Sequence, residues 1–332
     1  MAVRTVERAA RQMRSDRKEG TPVTINERKA LFDGIAPCRT QEEMRLHTTF
    51  RIGGPAELFV TPESEAALCR AVEACRAADL PYQIVGNGSN LLVSDEGIEG
   101  AVIAVGEGLD GVEPVPGGLR AGAGVRLSSL CRAAQARGLS GLEFAFGIPG
   151  TLGGGLFMNA GAYGGELAQV VRRVRVLTRE GELRTREAAQ CAFGYRHSAF
   201  MDNGDVILAA ELALTPDDPA AIEARMQTYL QRRKEKQPLE YPSAGSVFRR
   251  PAGHYAGALI ERSGLKGARV GGAQVSEKHA GFIINCGGAT AGDVRALIEQ
   301  IQRKVRQDSG VELECEVRFI GRDAVPPTDK GR

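Results

Sequence analysis

The chain has 332 residues, 42% of them apolar and 25% charged, with a net charge of only +2. That length calls for two or three domains, and that balance is ordinary for a soluble globular protein rather than a fibrous or unfolded one. A charge so near zero, no tryptophan and few aromatics argue against nucleic acid as a partner.

Residues 1–40 read as a tail without a core of its own. Val6, Ala9, Ala10 and Met13 keep helical spacing within it. Order is expected to begin near Thr48. A strand follows over 56–60, then a helix with Thr61 as N-cap and Pro62 in its first turn. Leu68, Val72 and Cys75 form its apolar stripe. Strands over 82–85 and 101–105 complete a small α/β unit. The middle reads as a strand over 119–125, a helix from Leu127 that Gly138 can cap, a hairpin turning at Glu180-Gly181 and a strand over 206–214. Beyond Asp217-Asp218-Pro219, Ile222, Met226 and Leu230 fit an amphipathic helix that Pro238 stops. A last helix runs from an N-cap at Thr290 to Gly310, with Val294, Leu297, Ile301 and Val305 on one face. A closing strand over 311–320 and a short frayed tail end the chain.

Several classes are excluded. No apolar run is long enough to span a bilayer, and the N-terminus lacks the apolar core of a secretory signal. The seven cysteines include no C-x-x-C pair, and there are four histidines, so a metal site is not expected. This usage fits a reducing cytosol.

Two glycine-rich segments stand out among the 42 glycines. The first, Gly86-Asn87-Gly88-Ser89-Asn90, follows an apolar strand. Its glycines let backbone amides converge into a nest for phosphate oxygens, and its short polar side chains add hydrogen bonds. It matches neither standard phosphate-loop pattern, so an ordinary Asn-Gly turn is an equal reading of that segment alone. The second runs Gly147-Ile148-Pro149-Gly150-Thr151-Leu152-Gly153-Gly154-Gly155 and continues through Asn159-Ala160-Gly161. Interleaved apolar residues and the lack of serine distinguish it from a flexible linker. Two such segments suggest a long ligand with more than one phosphate.

Among residues able to carry chemistry, Arg196 in Tyr195-Arg196-His197-Ser198 could clamp a carboxylate with its planar fork. Taken singly, a surface arginine is the commoner case. His197 has no nucleophile or orienting acid nearby in sequence, and packing is its expected role. Small residues around Ser246 would leave its hydroxyl accessible, with Phe248 as an anchor. No Gly-x-Ser-x-Gly elbow is present, so a proton-donating serine fits better than a hydrolase triad, and a turn serine is the plain alternative. Glu312, Glu314 and Glu316 alternate, which on a strand puts all three on one face. Lys278-His279 faces either an anionic ligand or water.

The ordered set of motifs at 48–55, 86–95, 147–166, 195–198, 241–251, 271–285 and 313–321 resembles the UDP-N-acetylenolpyruvoylglucosamine reductases, also called UDP-N-acetylmuramate dehydrogenases, in their shorter type II-like branch. Together the motifs cover the chain from about 45 to 321. His47 stands where Asn is usual, Gly-Leu-Phe-Met-Asn replaces the commoner Ala-Val-Tyr-Met-Asn, and Arg249 replaces a common Lys.

The resemblance implies an α+β fold, with a two-part FAD-binding domain of the vanillyl-alcohol-oxidase type and a C-terminal α+β substrate domain. It implies boundaries at 41–106 and 107–216 for the two FAD-binding parts, 217–310 for the substrate domain and 322–332 for a tail, with 311–321 returning to the first part. It also implies a reaction. Non-covalent FAD takes hydride from NADPH and passes it to the enolpyruvyl double bond of UDP-N-acetylglucosamine enolpyruvate, in peptidoglycan precursor synthesis in the cytoplasm. Ser246 would be the proton donor, with Arg196 and Glu316 stabilising the enol form. Arg51, Gly53, the 86–90 loop, the 147–154 segment and Asn159, Ala160 and Gly161 would hold the cofactor. Tyr195, Lys236, Phe248, Lys278 and His279 would meet the UDP-sugar. No metal, nucleic-acid partner or membrane insertion is implied, and a monomer or weak dimer is expected. Two alternatives remain open: another flavoprotein oxidoreductase of the same superfamily, and a non-catalytic nucleotide-binding module.

Overall fold

The computed structural model describes residues 23–322 and 324, and the chain divides into two compact units, each assembled from separated segments. The readings of an N-terminal helix and of most of a frayed tail lie outside the described residues. The first unit takes 58–87, 100–232 and the described residues up to 40. The second takes 41–57, 88–99 and the chain from 233 onward. Each has its own buried apolar cluster.

In the first unit, a four-stranded sheet orders its strands Cys38–Glu43, Pro55–Val60, Ile98–Ala104 and Tyr82–Val85. The last two run parallel, with Tyr82 opposite Ala101. Parallel neighbours need a crossover, which residues 86–97 supply for this pair, while helix Glu65–Ala77 connects Pro55–Val60 to Tyr82–Val85. It buries Leu68, Val72 and Cys75 as their spacing predicts. Its cap differs from the expectation: Ser64, not Thr61, accepts from the Ala67 amide. A serine one place before the first acidic residue competes well for this role.

A second sheet, five-stranded and antiparallel, runs Leu183–Glu187, Val171–Leu177, Val206–Ala213, Gly118–Gly122 and Val112–Val115. The expected hairpin turning at Glu180-Gly181 is present, with Gly181 at φ +90°. Helix Pro219–Lys236 follows and buries Ile222 and Met226. The described part of the N-terminal segment is no tail. Thr24 caps helix Ile25–Ala30 through a capping box, and Leu31 and Phe32 are 0% and 1% exposed in the first core. Two adjacent bulky apolar residues after a capped turn supply the anchor.

In the second unit, the antiparallel sheet order is Ser243–Ser246, Phe282–Asn285, Ala273–Val275, Arg269–Val270. Helix Ala291–Ser309 covers this core with Val294, Leu297, Ile298, Ile301 and Val305. Its ends are as the sequence predicts: a Thr290–Asp293 capping box and a left-handed Gly310 at φ 71°. Asp95 also accepts from the first-turn amides of Ala291 and Gly292, at 2.8 and 2.9 Å. The predicted closing strand is much shorter than 311–320. Only Arg318–Ile320 is extended, and it lies parallel to Leu91–Val93.

Candidate active site

In the first unit, the two glycine-rich segments come together. Strand Tyr82–Val85 delivers Gly86 and Asn87 to the loop that precedes helix Leu152–Met158, and Asn87 Nδ2 donates to the Pro149 carbonyl at 2.6 Å. A Cβ on Gly86 would collide with the Thr151 hydroxyl, so only glycine permits this approach. Backbone bonds hold the second loop in turn. Gly150 O accepts from Leu127 N, while the Leu152 and Gly153 amides donate to Val125 O and Ala123 O, at 2.8–2.9 Å. Thr151 is buried and caps the helix, accepting from the Gly154 amide.

That helix ends on Asn159, in the left-handed region at φ 43° and 0% exposed. Its amide is fully engaged within the protein: Nδ2 donates to Gly194 O at 2.9 Å, and Oδ1 accepts from Ala168 N at 3.0 Å. Gly194 opens the tight turn that carries Tyr195 and Arg196, closed by reciprocal backbone bonds with His197. Arg196 sits at φ 53°, a costly conformation for an arginine. Its Nη2 donates to Gly161 O at 3.1 Å, and the guanidinium lies 5.2 Å from the Tyr195 ring centre. Buried Ser198 anchors the far side of the turn by donating to Phe157 O at 2.7 Å. His197 pairs at 3.0 Å with Asp202. Ala160 and Gly161 lie just beyond the helix, and Gly147 and Ile148 just ahead of it, all half-buried.

In the second unit, Ser246 ends a strand and is paired with Phe282. The next residue, Val247, uses both backbone groups. Its N–H donates to Gly281 O at 2.9 Å, and its C=O accepts from Glu316 N at 2.7 Å. Arg249 N likewise donates to Glu314 O at 2.8 Å, and Phe248 bridges Cys315. The backbone of Glu316 is therefore bonded to Val247, the residue after Ser246, although 70 positions separate Ser246 and Glu316 by their numbers. The Ser246 hydroxyl donates to Phe248 O over 3.4 Å, a weak hold.

Asn90 connects the first glycine motif to the same place: its Nδ2 donates to Glu316 O at 3.1 Å, and its C=O accepts from Arg318 N at 2.9 Å. Gly88, at φ +60°, is buried against His47 O and Thr48, and Ser89 beside it is half-buried. Gly53 sits at φ +133°, where a Cβ would lie 2.6 Å from Val93 Cβ, and Arg51 is exposed at φ 55°. His47, which stands where Asn was expected, pairs with Glu42 at 2.8 Å.

The predicted alternation shows in the burial, with Leu313 and Val317 buried and the Cys315 thiol raised by burial at the odd positions, although 311–317 makes no strand ladder beyond the isolated Phe248–Cys315 bridge. Glu312 and Glu314 are exposed, and Glu316 is half-buried. Burial pushes the Cys315 thiol up to about 12, so no thiolate stands beside Glu316. Phe248 is 2% exposed and packs in the second core. Lys278 Nζ donates to Lys234 O at 2.7 Å, and Lys236 is exposed. The backbone links through Val247 and Gly281 escape sequence reading, because main-chain bonds leave no side-chain pattern; the only trace is the glycine after Lys278-His279-Ala280.

Among the described residues, no cluster of three His, Cys, Asp or Glu could hold a metal, and no helix is long and apolar enough to cross a membrane. Residues 56–186 match an FAD binding domain family, and residues 237–320 match the family "UDP-N-acetylenolpyruvoylglucosamine reductase, C-terminal domain". The chain is 48% identical to a UDP-N-acetylenolpyruvoylglucosamine reductase of Syntrophomonas wolfei, over 88% of this chain and 99% of the relative. It is 46% identical to one from Streptococcus pneumoniae, over 88% and 96%. The crystal structure of the reductase from Thermus caldophilus superposes with a TM-score of 0.73 at 37% identity, covering 85% of this chain and 97% of that one. With likeness of this degree running through both units and nearly the full length of its relatives, this chain belongs to the UDP-N-acetylenolpyruvoylglucosamine reductase family.

Proposed function

We infer that this protein reduces UDP-N-acetylenolpyruvoylglucosamine to UDP-N-acetylmuramate for peptidoglycan synthesis, as an FAD-dependent oxidoreductase that draws hydride from NADPH. Its family and the FAD binding domain match over 56–186 support this. The two glycine-bearing loops of the first unit fit such a cofactor. Gly86 is bare against Thr151, and a Cβ on exposed Gly154 would meet only the Thr151 hydroxyl within 4 Å. Gly86, Asn87, 147–154, Ala160 and Gly161, and with them Arg51, Gly53, Gly88, Ser89 and Asn90, are assigned to the cofactor. FAD, when bound, supplies hydride transfer from NADPH to the enolpyruvyl double bond.

The chain's own residues supply the proton and the charge stabilisation. Ser246 gives its Oγ proton to the carbon adjacent to the one that accepts hydride. A C–H bond forms as the O–H bond breaks, and the serine regains its proton from solvent. Arg196 and Glu316 stabilise the enol form of the substrate carboxylate, the arginine through its fork of donors. The observation that carries this reading is the bond from the Glu316 amide to the carbonyl of Val247, the residue after Ser246. Asn159 supports the turn that carries Arg196 by holding Gly194. Tyr195, Lys236 and Lys278 are assigned to the UDP-sugar. We assign 41–106 with 311–321, and 107–216, to the flavin and 217–310 to the substrate, in a cytoplasmic monomer or weak dimer.

Rapid mixing of the purified FAD-loaded protein tests the reading. NADPH should bleach the flavin, and UDP-N-acetylglucosamine enolpyruvate should restore its colour. A reduced flavin that this substrate fails to reoxidise would overturn it.

A further inference from the structure

The main chain behind Ser246 is tied to an imidazole. Ser276 is 1% exposed, and its Oγ accepts from the amides of Lys278 and His279, both at 3.2 Å. Phe282 N donates to His279 O, and Ser276 N donates to Phe282 O, each at 2.9 Å, closing a tight turn. Within it, Gly281 N donates to His279 Nδ1 at 3.1 Å, and the ring rests edge-on against Phe282 with centres 5.0 Å apart. Gly281 O then accepts from Val247 N, and Val247 O from Glu316 N. One run of three hydrogen bonds thus leads from the ring nitrogen to the Glu316 backbone and passes directly behind Ser246.

The spacing is tight. A Cβ on Gly281 would lie 3.0 Å from His279 Cε1, 3.2 Å from Nδ1 and 3.4 Å from Ser246 Oγ. A Cβ on Gly257, in helix Ala256–Arg262, would lie 3.3 Å from the same ring carbon. The imidazole is therefore confined, and the gap between it and the Ser246 hydroxyl is about that of one absent methyl group.

Nδ1 can accept the Gly281 proton only when it carries none itself, which requires a neutral ring protonated at Nε2. Burial favours that state by lowering the His279 pKa. Lys266 acts in the same direction, against the ring's own backbone hydrogen bond and Glu261.

We propose that His279 is a positioning residue for the proton-transfer step: its acceptor nitrogen fixes the Gly281 peptide, and through it the Val247 peptide that sets Ser246 beside Glu316. The proposal rests on the reading of Ser246 as proton donor. It differs from a contact with the UDP-sugar, which would use Nε2 instead.

The test compares His279→Asn, His279→Leu and Ser246→Ala in the full-length FAD-loaded protein, with flavin reduction by NADPH and reoxidation by the enolpyruvyl substrate timed separately. An asparagine oxygen can occupy the place of Nδ1 and accept from Gly281, whereas leucine cannot. Reoxidation should slow about 10- to 100-fold in His279→Leu, as small misplacements of reacting groups do, and return to within a few-fold in His279→Asn. Reduction by NADPH should change by less than about twofold in both. Nitrogen-15 NMR of the unsubstituted protein, with His279→Asn identifying the resonance, should show Nδ1 bare and Nε2 protonated. Equal loss in both His279 variants with a raised KM, or a proton on Nδ1, overturns the proposal. So does normal reoxidation in His279→Leu while Ser246→Ala is slow. Normal reoxidation in Ser246→Ala instead removes the underlying reading of Ser246. The NMR result stands even if His279→Leu fails to fold.

Discussion

The 194–197 turn and the 246–248 segment present their reactive side chains by opposite means. Arg196 stands on a strained left-handed residue, and its turn is held by the buried Asn159 amide and the Ser198 hydroxyl. Ser246 stands at a strand end whose neighbours are secured by peptide groups, Val247 to Gly281 and Glu316, and Arg249 to Glu314. A site held by main chain tolerates most side-chain changes nearby, because every non-proline residue brings the same donor and acceptor. A site held by one side chain concentrates its dependence there. The contrast predicts where substitutions should abolish chemistry, where they should unfold the turn, and where they should do little.

The largest effect is expected from Ser246→Ala, which deletes the donor and leaves the backbone ladder untouched. Reoxidation by the enolpyruvyl substrate should slow at least about 10²-fold, with the melting temperature almost unchanged. A fast reoxidation in rapid mixing would dissolve the contrast at its chemical end. Asn159→Ala tests the other arm. It strips half-buried Gly194 O and Ala168 N of their partners, and should cost about 1–3 kcal/mol in denaturant unfolding as well as slowing turnover. A neutral result would show that the turn does not depend on its asparagine.

A third prediction concerns a carboxylate cluster of the first unit. Burial alone would raise the Glu143 carboxyl, but hydrogen bonds from Arg225, from its own and the Gly141 amides and from Ser140 outweigh it and hold the group below its usual 4.5. A depressed folded-state pKa stabilises the fold fully above the unfolded value, and the benefit is lost as pH falls through the folded value. Glu143→Gln should therefore cost about 2 kcal/mol at neutral pH, and the difference from the unsubstituted protein should shrink as pH falls below about 4.5. Unfolding free energies measured across that range check the sign. The smallest effect is set at Gly310, whose φ of 71° ends helix Ala291–Ser309. Gly310→Ala should cost about 1 kcal/mol without altering either half of the reaction, by denaturant titration and rapid mixing.

The sequence makes some of this legible and hides the rest for physical reasons. The last helix could be delimited from Thr290 to Gly310 because capping is local chemistry, written in the residues that perform it. The two glycine loops were legible as ligand-shaped, and their meeting through Asn87 and Pro149 follows from the fold of the first unit. The alternating glutamates were legible, since Leu313 and Val317 are buried at the intervening odd positions, but the length of the closing strand was not, because period two is only a necessary sign of a ladder. The cap at Ser64 was missed because Thr61-Pro62 offered the same signature three residues earlier. The first 40 residues read as a tail because no pattern there matched a known motif, yet Leu31 and Phe32 are core residues. Least legible was the ladder behind Ser246, since peptide groups are identical at every position and only a fold can pair them.

The segmental make-up of the second unit has a consequence during synthesis. Strand Leu91–Val93 emerges early, but its neighbour Arg318–Ile320 comes near the end, and Asn90 waits for a partner 226 positions further on. At ordinary translation speeds that interval lasts roughly 10–45 s, long enough for a preceding domain to fold on the ribosome. The unit that contains Ser246 is thus the last to mature, and apolar Leu92 and Val93 must be shielded meanwhile, by transient contacts or a chaperone. A ribosome that stalls just before Glu316 would release a chain that contains Ser246 but not the strand that completes its surroundings.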